Sequence, residues 1–296
     1  MKHYYGALAL CAGLATTAEA ATFFSVATTG NSGCSIFESN GTGSSATCAA
    51  PTSGQSQGNG AFASSEAGIL RVGAESFGFR DAGGVLQVSP TQNSAQATFS
   101  DRLFFSEDSG TYRLEVDLLG SLSLFAPDLG PPSVTMSSIS FDASANGQLY
   151  EFDASVQEGV GFGGPQLSVD RNEVVDFVDV FEFDFTGGQL DLFVSLQALS
   201  RCSGTIGTTC TGEAEFLNSL RITGGEVLDA NGNLLSGGFL GSDSGFDYIA
   251  GVEPHERGDQ VSPVPLPAGA WLMLAGLAGL GTIRATGNLA QTKKRI

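Results

Sequence analysis

Carboxylates are the most abundant side chains with chemical potential in this sequence, which has 31 acidic residues, 13 basic residues and two histidines. His3 lies close to the N-terminus, and His255 lies in a polar, proline-containing stretch near the C-terminus. Serine and cysteine nucleophiles are usually activated by a neighbouring histidine, so the body between these positions is not expected to be a Ser-His-Asp or Cys-His enzyme. Glycoside hydrolysis and Ca²⁺ binding, which need only oxygen ligands or carboxylates, remain to be considered.

The densest group of acidic residues falls within one predicted strand. Its members are Asp176, Asp179, Glu182 and Asp184. A glycosidase needs two carboxylates about 5–10 Å apart. However, Glu182 and Asp184 alternate with Phe181, Phe183 and Phe185, which places them on the solvent face of the strand. We therefore expect no catalytic residue and a non-enzymatic protein, with a carboxylate-only glycosidase as the less favoured alternative.

A second acidic motif has oxygen ligands at alternate positions, as at the start of an EF-hand loop. Its members are Asp229, Asn231 and Asn233. Gly232 falls at the fourth position of the motif rather than the sixth, and Leu240 stands where a bidentate acid is needed. Asn-Gly is also a strong hairpin signal. We expect a turn with no metal and no cofactor, while a Ca²⁺-dependent carbohydrate-binding or adhesive module remains an alternative.

The elements that carry these motifs are predicted to be strands. Over residues 69–252 apolar and polar residues alternate, and turn signals such as Asn146-Gly147 and Gly187-Gly188 recur about every 8–14 residues. The clearest hairpin joins residues 174–185 to residues 189–199. This pattern is typical of an all-β fold, and we expect an antiparallel β-sandwich or jelly-roll-like ectodomain.

Two flanking segments differ in composition from this body. Residues 21–68 are rich in Gly, Ser and Thr, which favours long loops with one or two edge strands. Residues 253–263 lose the apolar alternation and gain proline and charge. We interpret them as an exposed stalk that includes His255.

The N-terminus has the three parts of a secretory signal peptide. Met1-Lys2-His3 is basic, residues 4–14 are apolar, and Ala18-Glu19-Ala20 is a small-x-small cleavage site. We expect residues 1–20 to be removed between Ala20 and Ala21. The mature protein is therefore expected outside the cytoplasm.

Export makes disulfides the default state of the four cysteines that remain after residue 20. These are Cys34, Cys48, Cys202 and Cys210. The pairs Cys34–Cys48 and Cys202–Cys210 close the shortest loops and cost the least chain entropy. The other two connectivities stay open from sequence alone.

The charge balance of the mature body is strongly acidic. Residues 21–263 carry 30 acidic residues against eight arginines and no lysine, a net charge of −22. Such a surface repels nucleic acid and anionic lipid. Nucleic acid is therefore excluded as a partner.

The C-terminus combines a short motif, an apolar span and a basic end. The motif is Val264, Pro265, Leu266, Pro267 and Ala268. Residues 264–283 carry no charge and would form a helix about 30 Å long, enough to cross a bilayer. We expect one transmembrane helix at 268–283, and the basic residues of the 284–296 tail place that tail in the cytoplasm. An ordinary single-span anchor is one interpretation of this arrangement.

This arrangement also resembles the VPLPA variant of the PEP-CTERM sorting domain, over residues 264–296 only. All five motif positions match, whereas the basic tail is sparser than in the family, because eight uncharged residues separate Arg284 from Lys293. The resemblance implies a membrane-anchored precursor that an exosortase cleaves near the motif. It further implies a protein of the cell surface, the extracellular polysaccharide or a biofilm.

Overall fold

The computed structural model describes residues 21–29, 35–38, 43–49, 60–79, 91–129, 133–160, 167–203 and 209–255. Every strand pairing within these ranges is antiparallel, which confirms the predicted all-β class. The strands are β1 (Thr22–Thr29), β2 (Ser35–Glu38), β3 (Gly43–Ala49), β4 (Gly60–Glu66), β5 (Ile69–Phe79), β6 (Thr91–Phe105), β7 (Ser109–Leu129), β8 (Ser133–Ala145), β9 (Gln148–Val160), β10 (Leu167–Thr186), β11 (Gln189–Ser203), β12 (Thr209–Asp229) and β13 (Phe239–Ser242).

The strands form two layers, which is consistent with the predicted β-sandwich. One layer has the order β2-β1-β6-β11-β8-β9, and the other has the order β10-β7-β12-β5-β4-β3. Among the described residues, the backbone pairing that joins the layers is the single pair Thr186–Gln189. β11 packs on β5 and β12, and β9 packs on β7 and β10. Short β13 adds to the end of β6.

The core lies between the layers and follows the period-two alternation of the sequence. In β7 the buried side chains are Tyr112, Leu114, Val116 and Leu118, and in β11 they are Leu190, Leu192, Val194 and Leu196. The phenylalanine stripe of β10 faces the same core, with Phe183 completely buried. Phe185 stacks on Phe105 with ring centroids 4.1 Å apart. The predicted inward direction of this stripe is confirmed.

The turn at Gly187-Gly188 exists, but the hairpin predicted around it is wrong. Both glycines have positive φ, 71° and 67°, as a tight reversal requires. Beyond Thr186–Gln189 the two strands separate: β10 pairs with β7, while β11 pairs with β6 and β8. The turn therefore carries the chain from one layer to the other, and the buried faces of β10 and β11 lie on opposite sides of the core. The turn at Asn146-Gly147 does join a hairpin, β8–β9.

The Gly/Ser/Thr-rich N-terminal part contains more strand than expected. Its described residues form β1 to β4, which span Thr22 to Glu66. The inward residues of these strands include the small Ala27, Ala46, Ala61 and Ala63, all buried. Because small inward residues give a weak apolar alternation, the sequence pattern did not reveal these strands.

One predicted disulfide is present within the described residues. Cys202 and Cys210 are bonded, with their Cα atoms 5.9 Å apart, and they join the end of β11 to the start of β12. Cys48 is also disulfide-bonded, and Cys34, the partner predicted for it, lies outside the described residues.

The predicted targeting segments at both ends also lie outside the described residues. These are the signal peptide at 1–20, the motif at 264–268, the transmembrane helix at 268–283 and the tail at 284–296. Within the described ranges, no helix is long and apolar enough to cross a membrane.

Candidate functional site

The four acidic residues of β10 are all exposed, and the structure does not bring them to one point. By the alternation of the strand, Asp176, Glu182 and Asp184 lie on its outer face, whereas Asp179 shares the parity of the inward phenylalanines. Oε1 of Glu182 lies 2.8 Å from Nε of Arg113. Oδ1 of Asp184 accepts a hydrogen bond of 2.9 Å from the Thr111 hydroxyl. Glu182 and Asp184 therefore interact with the neighbouring strand β7 on an exposed face.

The Asp229 motif forms a turn that uses its own carboxylate. Oδ1 of Asp229 accepts hydrogen bonds from the backbone N–H groups of Asn231 and Asn233, both at 2.8 Å. Oδ2 accepts one from Nδ2 of Asn233 at 2.9 Å. The side-chain bond from Asn233 is the main cause that lowers the pKa of Asp229. Gly232 has a φ of 82°, and Leu228 bridges to Leu234, as expected for a hairpin turn.

Within the described part of the chain, no group of three or more His, Cys, Asp or Glu residues is arranged to hold a metal ion. The two oxygens that the Asp229 carboxylate would offer to Ca²⁺ are already occupied by turn amides. The arrangement of this motif is therefore that of a self-capped turn.

Sequence reasoning missed a pair of carboxylates that face each other on the outer surface of the second layer. Glu213 of β12 is directly opposite Glu75 of β5, and both side chains are half-buried. Desolvation raises the pKa of each carboxyl. The negative charge of Glu213 adds to the rise at Glu75, and that of Glu215 adds to the rise at both. A like-charged pair of this kind is visible only once the strand register is known.

A similar pair occurs on the other layer. Asp142 of β8 is opposite Glu151 of β9. Desolvation, and then the negative charges of Glu151 and Asp153, raise the pKa of Asp142. Such pairs of neighbouring carboxylates follow from the large excess of acidic residues in the body. Their repulsion lowers the free energy of unfolding at neutral pH.

Glu213→Gln is expected to raise the free energy of unfolding at pH 7 by about 0.5–1 kcal/mol, because it removes one of two facing charges. A raised carboxyl pKa in the folded state means that stability falls as the pH rises through that pKa. The gain should therefore shrink toward pH 4, which lies below the raised pKa of both carboxyls. Urea titrations at the two pH values measure this.

Glu182→Gln is the matched control, since it changes the net charge equally but removes one of the two carboxylate partners of Arg113, the other being Glu226. It should be neutral or slightly destabilising. Equal stabilisation by both variants would attribute the effect to net charge and contradict the local explanation.

The segment that follows β13 is fastened to β6 by a buried carboxylate. Asp101 is 4% exposed. Its Oδ2 accepts hydrogen bonds from the Tyr248 hydroxyl at 2.9 Å and from the Ser244 hydroxyl. Its Oδ1 accepts one from the backbone N–H of Ser244 at 3.0 Å. Desolvation, and then the charge of Asp101, raise the pKa of Tyr248.

A second buried carboxylate holds the end of the same segment. Asp117 of β7 is 1% exposed and His255 is 8% exposed. Oδ2 of Asp117 accepts a hydrogen bond of 2.8 Å from the backbone N–H of His255, and its Oδ1 lies 3.0 Å from Nδ1 of the imidazole. The N–H of Val252 donates to the carbonyl of Ile222 at 2.9 Å.

The interpretation of His255 as part of an exposed stalk is therefore wrong. Glu253 and Pro254 are exposed, but Nη1 of Arg221 donates to the Glu253 carbonyl at 2.7 Å. The compact unit ends at His255. Loss of apolar alternation hid this contact, because a segment that binds through backbone groups and single polar side chains has no periodic signal.

Comparison with known proteins adds no family to this description: no protein-family model matches the chain, and no curated protein matches it. The fold and its contacts define an antiparallel all-β protein with an acidic surface. The segment that follows β13 and ends at His255 is held to the body by two buried carboxylates, Asp101 and Asp117.

Proposed function

We propose that this protein is a secreted, acidic, non-enzymatic protein of the cell envelope, delivered by an exosortase-type signal at residues 264–296. The observation that carries the proposal is the position of the body's end. The folded unit ends at the buried His255. Eight residues then separate it from the Val264–Ala268 motif. The motif that a processing enzyme would recognise therefore begins in the sequence beyond the last residue of that unit.

The state of the polar groups supports a non-enzymatic role. Glu182 and Asp184 of β10 interact with β7 on an exposed face, and the carboxylate of Asp229 caps its own turn. The histidine of the mature chain, His255, is packed against Asp117. Carboxylate-only hydrolysis needs two acids converging on one bond, and the β10 acids lie on both faces of their strand.

The proposed organisation is a β-sandwich ectodomain followed by a single transmembrane helix at 268–283 in the precursor. The Cys202–Cys210 disulfide supports an oxidising compartment. The precursor would be anchored in the inner membrane with its ectodomain on the periplasmic side. Its partners would be an exosortase-type enzyme and then the extracellular polysaccharide of the cell surface.

Intact-mass analysis of the protein isolated from its host tests this proposal. The mature chain should begin at Ala21 and lack the residues that follow a cleavage site at or near the 264–268 motif. A variant with Pro265→Ala and Pro267→Ala should retain its tail, because both changes lie in the recognised pentapeptide. A wild-type chain that extends to Ile296 would show that the tail is a plain anchor and would overturn the proposed processing.

A further inference from the structure

The interior of the sandwich differs between its two ends. The end at the Gly187-Gly188 turn is filled by large aromatic side chains, among them Phe105, Phe183 and Phe185, and we call it the phenylalanine-lined end. At the opposite end, where β11 finishes and β12 begins, buried inward positions carry hydroxyl groups. These are Ser76 of β5, Thr135 and Ser137 of β8 and Ser200 of β11, all completely buried. We call this the hydroxyl-lined end.

The buried hydroxyls form hydrogen bonds from one layer to the other. The Ser200 hydroxyl, in the layer that contains β6, donates to the carbonyl oxygen of Gly212 in β12 at 2.5 Å. It also lies 2.7 Å from the hydroxyl of Ser76, which belongs to the layer of β12. The Ser137 hydroxyl donates to the carbonyl oxygen of Ser123 in β7 at 3.0 Å. Side-chain hydrogen bonds therefore join the two layers at this end.

Gly212 makes this close approach of the layers possible. A Cβ atom at this position would lie 2.9 Å from Oγ of Ser200 and 3.2 Å from Oγ of Ser137. Both distances are shorter than an ordinary van der Waals contact, so a larger residue would displace the two hydroxyls. The hydrogen bonds between the layers therefore depend on a glycine in β12.

The Cys202–Cys210 disulfide lies at the same end of the sandwich. Cys202 follows Ser200 by two positions in β11, and Cys210 precedes Gly212 by two positions in β12. Both cysteines are buried. Because β11 and β12 belong to different layers, the bond joins the layers covalently next to the buried hydroxyls.

The two ends resist separation of the layers for different physical reasons. Separation at the phenylalanine-lined end would expose large apolar side chains to water, which is strongly unfavourable. Separation at the hydroxyl-lined end would give the hydroxyls water as a new partner, so each lost hydrogen bond has a small net cost. The apolar side chains buried there include Leu124 and the small Ala198 and Ala214. Closure of this end therefore depends more strongly on the disulfide.

We propose that the Cys202–Cys210 bond is a redox-dependent closure of the hydroxyl-lined end. When both thiols are reduced, the chain folds around the phenylalanine-lined end, while the cysteine-bearing ends of β11 and β12 separate. Oxidation closes the layers: the two thiols give two electrons and two protons to the disulfide of another thiol compound, which becomes two thiols. In the exported protein proposed above, this end would close outside the cytoplasm, where disulfides persist.

Hydrogen-exchange mass spectrometry of the purified protein tests the proposal by comparing Cys202→Ala/Cys210→Ala with wild type. Amides of β11 at 198–203 and of β12 at 209–214 should exchange on the order of 50-fold faster in the variant, because a short closed loop is lost. Amides of β7 at 111–116 should exchange as in wild type. Wild-type protein in which dithiothreitol has reduced the bond should match the variant. Since the reduced protein keeps both sulfur atoms, this match separates the bond from lost side-chain volume.

Leu190→Ala is the control, because Leu190 is a buried residue at the opposite end of β11. It should leave exchange at 198–203 close to that of wild type, since local opening of the hydroxyl-lined end does not involve it. Equal acceleration of β7 and β11 in the cysteine variant would overturn the proposal, because the bond would then support the whole fold. Unchanged exchange at 198–203 in that variant would also overturn it. Neither outcome depends on the sorting signal, which the intact-mass analysis tests separately.

Discussion

Replacing Asp101 with alanine is expected to lower the free energy of unfolding by about 3 kcal/mol or more. The carboxylate is buried and accepts from Tyr248, Ser244 and the backbone N–H of Arg102. Its removal leaves the Tyr248 hydroxyl, on a completely buried ring, without this acceptor. A buried donor that loses its partner costs the full desolvation of that group. The segment after β13 should lose its attachment to β6.

Urea unfolding of Asp101→Ala and Tyr248→Phe measures this effect. Tyr248→Phe removes only the hydroxyl and should cost about 1 kcal/mol. In the double variant the cost should be less than the sum of the two single costs, because both changes remove the same hydrogen bond. Additive costs would show that Asp101 does not act through Tyr248. A loss below about 1 kcal/mol for Asp101→Ala would contradict the assigned role of this carboxylate.

The features that could be predicted from sequence are those with a local signal. Phe181, Phe183 and Phe185 follow the period of a strand, and the structure buries all three. Asn146-Gly147 supplies the positive φ values of a two-residue turn, 48° and 81°, and it joins a hairpin. Cys202 and Cys210 are close in sequence and are bonded.

The features that could not be predicted depend on which strands are neighbours. The alternation in β10 and β11 has the same period whether the strands pair side by side or face each other across a core. The period alone therefore could not distinguish a hairpin from the observed arrangement, in which β10 and β11 pair only at Thr186–Gln189 and then enter different layers. The facing of Glu75 and Glu213 likewise requires the register of β5 on β12. His255 contacts Asp117, which is 138 residues away in the sequence, and no periodic pattern indicates this contact.

Asp117 and His255 form the contact at which the folded body ends, and Asp117→Ala should open the C-terminal segment without unfolding the strands. The substitution removes the acceptor of the His255 backbone N–H, and it leaves the imidazole buried beside an empty position. Because residues 249–255 are outside the strand ladders, they can detach alone. Detachment of this segment costs less free energy than global unfolding, so it is the main opening event that Asp117→Ala should promote. Amide exchange in this segment should accelerate by about 30-fold, which corresponds to about 2 kcal/mol.

Hydrogen-exchange mass spectrometry of the purified protein measures this opening. Exchange in β7 and β11 should stay as slow as in wild type, because the core between the layers is intact. His255→Ala should accelerate exchange of the same segment, whereas Glu253→Ala should leave it unchanged, since Arg221 binds the carbonyl of Glu253 and not its side chain. If Glu253→Ala and Asp117→Ala gave the same acceleration, the segment would be held by its overall composition and not by the buried pair. If the segment exchanged fast in the wild-type protein, Asp117 would not hold it in place. Residues 253–255 would then belong to an exposed stalk, as predicted from the sequence.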